Sequence, residues 1–160
     1  PGVSDVSLPD LAALCDAFTI GGTKCGTLFG EAVVIPDGGS IRQFVTQMKQ
    51  HGALLAKGRL LGVQFEALFE DDLYLTLGAP GVAATKRIRE ALVRAGYVVT
   101  MDSPTNLTFV ALDQAGHERL SRKVRYGIWE TLPDGRLLAR FCTSWGTPEE
   151  DVKAFEEALA

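Results

Sequence analysis

Two residues of this sequence have the chemistry and the surroundings of a functional site. Lys24 stands in Gly21-Gly22-Thr23-Lys24-Cys25-Gly26, and Arg140 stands in the apolar run Leu137-Leu138-Ala139-Arg140-Phe141-Cys142. Glycines around a lysine let the backbone approach a bound ligand closely. A lysine that forms a Schiff base with a carbonyl must offer a neutral amine, although its unperturbed pKa is about 10.4. Burial and a neighbouring cation lower that value. The spacing Gly-Gly-x-Lys is a weak signal by itself, and a surface lysine in a glycine loop is the plainer reading of it. It is not a phosphate-binding P-loop, because the Gly-x-x-x-x-Gly-Lys-Ser/Thr pattern is missing. Arg140 offers a planar fork that can hold a carboxylate bidentately. An unpaired charge in so apolar a strand is costly, so the alternatives are a ligand or an edge strand turned to solvent.

The elements that must position these residues follow from periodicity. Residues 1–9 are polar and turn-like; Leu8, Leu11, Leu14 and Cys15 then make a short helical stripe, and Phe18-Thr19-Ile20 leads into the lysine turn as a strand. Glu31 to Ile35 reads as a buried strand, and Pro36-Asp37-Gly38-Gly39 as a turn. Ser40 with Gln43 has the spacing of a capping box, opening a helix along Ile41, Phe44, Val45 and Met48. Ala53 to Phe69 reads as one extended, mostly buried helix, or two broken at Gly52. A further helix covers Ala83 to Arg94, with Gly96 as its C-cap.

Beyond it the pattern becomes α+β. Strands are expected at Tyr97–Met101, Leu107–Leu112, Tyr126–Thr131 and Arg136–Thr143, with a helix at Gly116–Lys123. Pro133-Asp134-Gly135 is the strongest hairpin signal. Thr147-Pro148-Glu149-Glu150 reads as a second capping box with proline at the first helical position. The portion from Ala83 onward is therefore expected to be three or four antiparallel strands with helices on one face.

Bulk composition narrows the function. A net charge of −4 over 160 residues provides no basic field for nucleic acid. No apolar run reaches the roughly 20 residues that span a bilayer, and no charged-then-apolar leader is visible. Cys15, Cys25 and Cys142 lack CxxC spacing and suit a reducing cytoplasm as packing residues. His51 and His117 make no metal site with them, so no metal is expected. Trp129 and Trp145 read as core.

The segment Phe18-Thr19-Ile20-Gly21-Gly22-Thr23-Lys24-Cys25-Gly26-Thr27-Leu28-Phe29-Gly30-Glu31-Ala32 closely resembles the lysine segment of bacterial low-specificity threonine aldolases and their β-eliminating lyase relatives. Two further blocks fit the same family in the same order: Gly52-Ala53-Leu54-Leu55-Ala56-Lys57-Gly58-Arg59-Leu60-Leu61-Gly62, and Arg140-Phe141-Cys142-Thr143-Ser144-Trp145 before an acidic helix start. The resemblance implies a pyridoxal 5′-phosphate enzyme of the fold type I, transferase-like architecture. It makes Lys24 the covalent Schiff-base lysine and Arg140 the holder of the substrate carboxylate. Arg59, with Lys57 as the alternative, would reach a phosphate or carboxylate across a subunit interface, and Thr23 would bond the cofactor phosphate or shape the turn.

By the same resemblance residues 1–35 end the large cofactor domain, 36–78 are connecting helices, and 79–160 are the small C-terminal α+β domain. The reaction implied is cleavage of a β-hydroxy-α-amino acid of the threonine type to glycine and an aldehyde, by a cytoplasmic dimer or tetramer. Another lyase or aminotransferase of the same fold, or a silent oligomerisation module, are the alternatives. Family chains are about twice this length. The partner of the pyridine nitrogen, the main phosphate cup and the ring-stacking histidine are therefore expected in a missing N-terminal half, and the chain alone is expected to be inactive.

Overall fold

A computed structural model describes residues 3–160, which divide into two compact units, one ending at Leu77 and one spanning Gly78–Ala160. In the first, α1 (Leu8–Leu14) opens on a capping box: Asp10 N–H donates to Ser7 Oγ, and the Ser7 N–H donates to the Asp10 carboxylate at 2.8 Å. The strands β1 (Phe18–Gly21) and β2 (Glu31–Val34) pair antiparallel, Phe18 opposite Val34 and Gly21 opposite Glu31. The expected buried strand is thus present but not buried, because a two-stranded sheet packs on one face only. Ala32 and Val34 turn inward, while Val33 is 59% exposed.

The helix expected from Ser40 begins later. Ser40 Oγ donates to the Asp37 carbonyl at 2.8 Å and so closes a turn instead of capping a helix. Gln43 takes a left-handed φ of 53° without a capping bond, and α2 runs Phe44–Gln50. The long helix expected from Ala53 is shortened to α3 (Arg59–Phe69), of which only Phe65 and Leu68 are buried, against Ile20. Residues 53–58 form turns, with Gly52 (φ +68°) ending α2 through Ala53 N–H to Met48 O. A 3₁₀ turn, Glu70–Asp72, leads on with Asp71 and Asp72 left-handed.

Helix α4 (Leu73–Arg94) contains the division between units and starts well before the expected Ala83. Pro80 lies inside it and deprives the Thr76 carbonyl of its helical donor. Its buried face in the second unit is Gly81, Ala84, Thr85, Ile88, Ala91 and Leu92, spaced as an amphipathic helix requires. It ends in a Schellman motif: Tyr97 N–H bonds Leu92 O, Gly96 N–H bonds Val93 O, and Gly96 has φ +84°.

The elements that follow are β3 (Val98–Val99), β4 (Leu107–Leu112), α5 (Gln114–Ser121), β5 (Gly127–Thr131), β6 (Leu137–Cys142) and α6 (Glu149–Leu159). The strands form one antiparallel four-stranded sheet, within the three or four antiparallel strands expected, and their order is β3-β4-β6-β5. Val110 and Leu112 of β4 and Ala139 and Phe141 of β6 alternate into the core, where they meet Leu92, Leu120 and Leu159 of the helices. The β5–β6 connection closes through Leu132 N–H to Arg136 O at 2.8 Å, with Gly135 at φ +83°.

The second expected capping box also fails. Thr147 Oγ accepts from Ser144 N–H at 2.9 Å, and Pro148, not Thr147, stands at the N-cap of α6. Nor are the tryptophans core: Trp129 and Trp145 are 56% and 48% exposed, and Cys142 is also exposed. No helix among the described residues is long and apolar enough to cross a membrane.

Candidate functional site

Lys24 lies in the connection from β1 to β2, and its backbone is closed on itself. The Gly22 carbonyl accepts from both Cys25 N–H (2.8 Å) and Thr27 N–H (3.0 Å), so the chain returns to its starting point with Lys24 inside the loop. Gly26 has φ +108°, a conformation that favours glycine. Gly22 is glycine for a different reason. A Cβ there would run into the side chain of Thr27, which packs directly on the glycine.

Two helices hold this loop. From α3, Gln64 Oε1 accepts from Leu28 N–H at 2.8 Å, while Gln64 Nε2 donates to Phe29 O and Leu60 O. Gly30, at φ +92°, fits against Leu61 of the same helix. From α4, the Tyr74 hydroxyl donates to Gly21 O at 2.9 Å. Burial raises the pKa of the Cys25 thiol and of the Tyr74 phenol. The result is a fixed loop that presents an exposed Lys24, with exposed Thr23 beside it. No carboxylate lies within ion-pair distance of Lys24 among the described residues.

Arg59 is the first residue of α3 and is exposed, as is Lys57 just before it. Gly58 at the N-cap has no capping side chain, and the first-turn N–H groups bond backward instead, Leu60 N–H to Lys57 O and Leu61 N–H to Gly58 O, both at 3.0 Å. Two cations at the positive end of a helix dipole are placed against the usual preference. Their exposed charge suits an anion such as phosphate or carboxylate. Lys24, Thr23 and Arg59 thus belong to one unit, and Gln64 and Leu61 tie the lysine loop to the helix that Arg59 begins.

Arg140 belongs to the second unit. It sits on β6, an interior strand, opposite Phe109 on β4 and Gly127 on β5, so the edge-strand alternative is removed. Its guanidinium lies 4.6 Å from the centroid of the Trp129 ring, and Trp129 meets Phe109 edge-to-face at 6.1 Å. Stacking holds the fork flat while leaving its N–H edge free for a planar anion. No acidic partner is within ion-pair distance among the described residues. Arg140, Arg125, Tyr126, Thr147 and Asp151 help line a cleft of about 480 Å³. Beyond Arg140, the Thr143 hydroxyl donates to Gly81 O and accepts from the Thr85 hydroxyl at 2.6 Å, which ties the end of β6 to α4.

A pyridoxal phosphate can be tested against these residues. The glycine loop leaves Lys24 exposed and without an ion-pair partner among the described residues, and Lys57 and Arg59 place positive charge at the start of α3. Thr27 Oγ, three positions along the loop from Lys24, is buried without a hydrogen-bond partner among the described residues. The donor set fits a lysine-anchored, anionic cofactor.

No family model matches the chain. The low specificity L-threonine aldolase of Pseudomonas aeruginosa is 27% identical to it over 139 residues, which is 86% of this chain and 39% of that protein. The solved structure of a Leishmania major threonine aldolase superposes with a TM-score of 0.87 at 37% identity, covering 97% of this chain and 45% of that one. In sequence and in fold, the chain is similar to the C-terminal part of threonine aldolases. Its α/β-then-α+β order is accordingly that of the matching part of a fold type I threonine aldolase. The chain spans less than half the length of either relative. The contacts that shape the lysine loop, from Thr27, Gln64 and Tyr74, carried no signal in the sequence. Gln64 and Tyr74 act across separations of 36 and 53 residues, and no local motif marks them.

Proposed function

We propose that this chain is the lysine- and arginine-bearing part of a pyridoxal-phosphate-dependent aldolase that cleaves β-hydroxy-α-amino acids of the threonine type to glycine and an aldehyde. The observation that carries the reading is the closed loop from Gly22 to Thr27, which holds an exposed, unpaired Lys24 on a fixed backbone. Pyridoxal phosphate, when bound, supplies an electron sink for the bond that breaks at the substrate α-carbon. Lys24 would be the residue that holds it covalently, through Nζ. Thr23 and Arg59 would offer a hydrogen bond and positive charge to a phosphate or carboxylate. Arg140, flattened on Trp129, binds the substrate carboxylate with two parallel N–H donors and so fixes the rotation about the Cα bonds. In the cleavage the β-hydroxyl loses its proton, the Cα–Cβ bond breaks as the aldehyde carbonyl forms, and Cα takes up a proton to give glycine.

The remaining cofactor contacts belong to a preceding part of the protein, and the active form is a dimer or tetramer working in the cytoplasm. The apolar side chains that the first unit leaves exposed, among them Leu14, Leu28, Phe29 and Val33, support such a covering. Acetaldehyde and glycine release from L-threonine by the complete protein tests the reading. Lys24→Ala is expected to lower turnover on the order of a thousandfold or more. Arg140→Ala is expected to lower kcat/KM by about 10- to 100-fold, as for the loss of a charge-assisted hydrogen bond. A wild-type protein that binds the cofactor yet releases no aldehyde, while acting on another amino acid, would make it a different lyase or an aminotransferase.

A further inference from the structure

We propose that Thr27 is a positioning residue for Lys24, and that its hydroxyl is the hydrogen-bond partner of a polar atom that arrives when the site is loaded. The inference rests on the reading of Lys24 as the cofactor anchor. Thr27 is 7% exposed, and its Oγ is buried with no hydrogen-bond partner among the described residues. Its backbone N–H closes the loop on Gly22 O, and its side chain occupies the space a Cβ on Gly22 would need. Cγ2 and Oγ of Thr27 both crowd the place where that Cβ would lie, so valine, with a methyl in place of the hydroxyl, would fill the same volume. The hydroxyl is what packing does not explain.

A buried hydroxyl without a partner is unfavourable, whereas an isosteric methyl is not. Its presence three positions from Lys24 is accounted for if a hydrogen-bonding atom of pyridoxal phosphate, or the lysine nitrogen that holds it, completes the bond. The cost in the ligand-free protein is then offset on binding. Gly22 enters the same device, because any side chain there would push Thr27 out of the loop.

The test uses the complete protein, free and with pyridoxal phosphate, as wild type, Thr27→Val and Thr27→Ser. Thermal midpoints are measured at one fixed cofactor concentration, together with the dissociation constant and the pH midpoint of the bound cofactor's absorbance. Ligand-free Thr27→Val is expected to melt at or above the wild-type temperature. Its cofactor-induced rise is expected to be smaller, its dissociation constant about 5- to 10-fold weaker, and its absorbance midpoint displaced. Thr27→Ser, which keeps the hydroxyl, is expected to restore the dissociation constant and the absorbance midpoint. Equal dissociation constants and absorbance midpoints for wild type and Thr27→Val would overturn the inference and leave the Lys24 assignment standing. A ligand-free Thr27→Val that melts lower with its affinity intact would make Thr27 a filler, which also overturns the inference and spares Lys24. A wild type that binds no pyridoxal phosphate would overturn the inference and the Lys24 reading together.

Discussion

The two units hold their candidate site residues in different ways. In the second, Arg140 grows from the middle of a four-stranded sheet whose core face is closed by Leu92, Val110, Leu112 and Leu120, each at most 1% exposed. In the first, Lys24 sits on a two-stranded sheet over a core of Ile20, Phe65 and Leu68, while Leu28 beside it is 85% exposed. Arg140 is positioned by burial and strand pairing. The lysine loop is positioned by a few hydrogen bonds and by one glycine–threonine fit. A charged fork that must always point the same way gains from a rigid sheet. An amine that must be reached and exchanged gains from a loop whose backbone is fixed and whose side chain is free.

The largest effect that could break this contrast is on stability. Leu92→Ala is expected to destabilise the second unit by about 2–5 kcal/mol, the range for a large-to-small change at a packed position. Leu28→Ala is expected to change the stability of this chain by no more than about 0.5 kcal/mol. Chemical denaturation followed separately at the two units checks both. A Leu28 variant as damaging as the Leu92 variant would mean that the loop is part of a core.

A smaller effect comes from the ion pairs of the second unit. Arg87 bonds Glu149 at 2.8 Å and Glu156 at 2.6 Å, which holds both carboxyls below their ordinary pKa. A carboxylate with a depressed folded-state pKa adds stability that is present above its unfolded value and lost as pH falls through the folded one. The thermal midpoint of the second unit should therefore fall as pH drops below about 4.3, the ordinary glutamate value. Arg87→Gln should flatten that part of the curve. An unchanged acid limb in the variant would mean the pairs are too solvated to matter.

How far the sequence reaches follows the same contrast. β4 and β6 are readable because each is a long run that alternates into one core, and Pro133-Asp134-Gly135 marks the turn that joins β5 to β6. Gly96 is readable as a helix end because a left-handed residue is needed there. Ser40 and Thr147 mislead, because a hydroxyl with capping spacing can serve a nearer partner, Asp37 O in one case and Ser144 N–H in the other. The early start of α4 is hidden by Gly78 and Pro80, which lower helix propensity without preventing a helix. Trp129 resembles a core residue by type alone, yet it is a half-exposed stacking platform for Arg140. Lys24, Thr23, Arg59 and Arg140 stand out through family resemblance, since the spacing around Lys24 is weak by itself. The residues that shape the loop are not legible, because Gln64 and Tyr74 reach it only in the folded chain.

The most direct measurement is peptide mass mapping of the complete, cofactor-loaded protein after borohydride reduction, which fixes a lysine-bound pyridoxyl group permanently. If Lys24 is the anchor, one adduct is expected, on the peptide that contains Lys24, and it is lost in Lys24→Ala. An adduct on Lys57 or any other lysine, with Lys24 unmodified, would contradict the assignment.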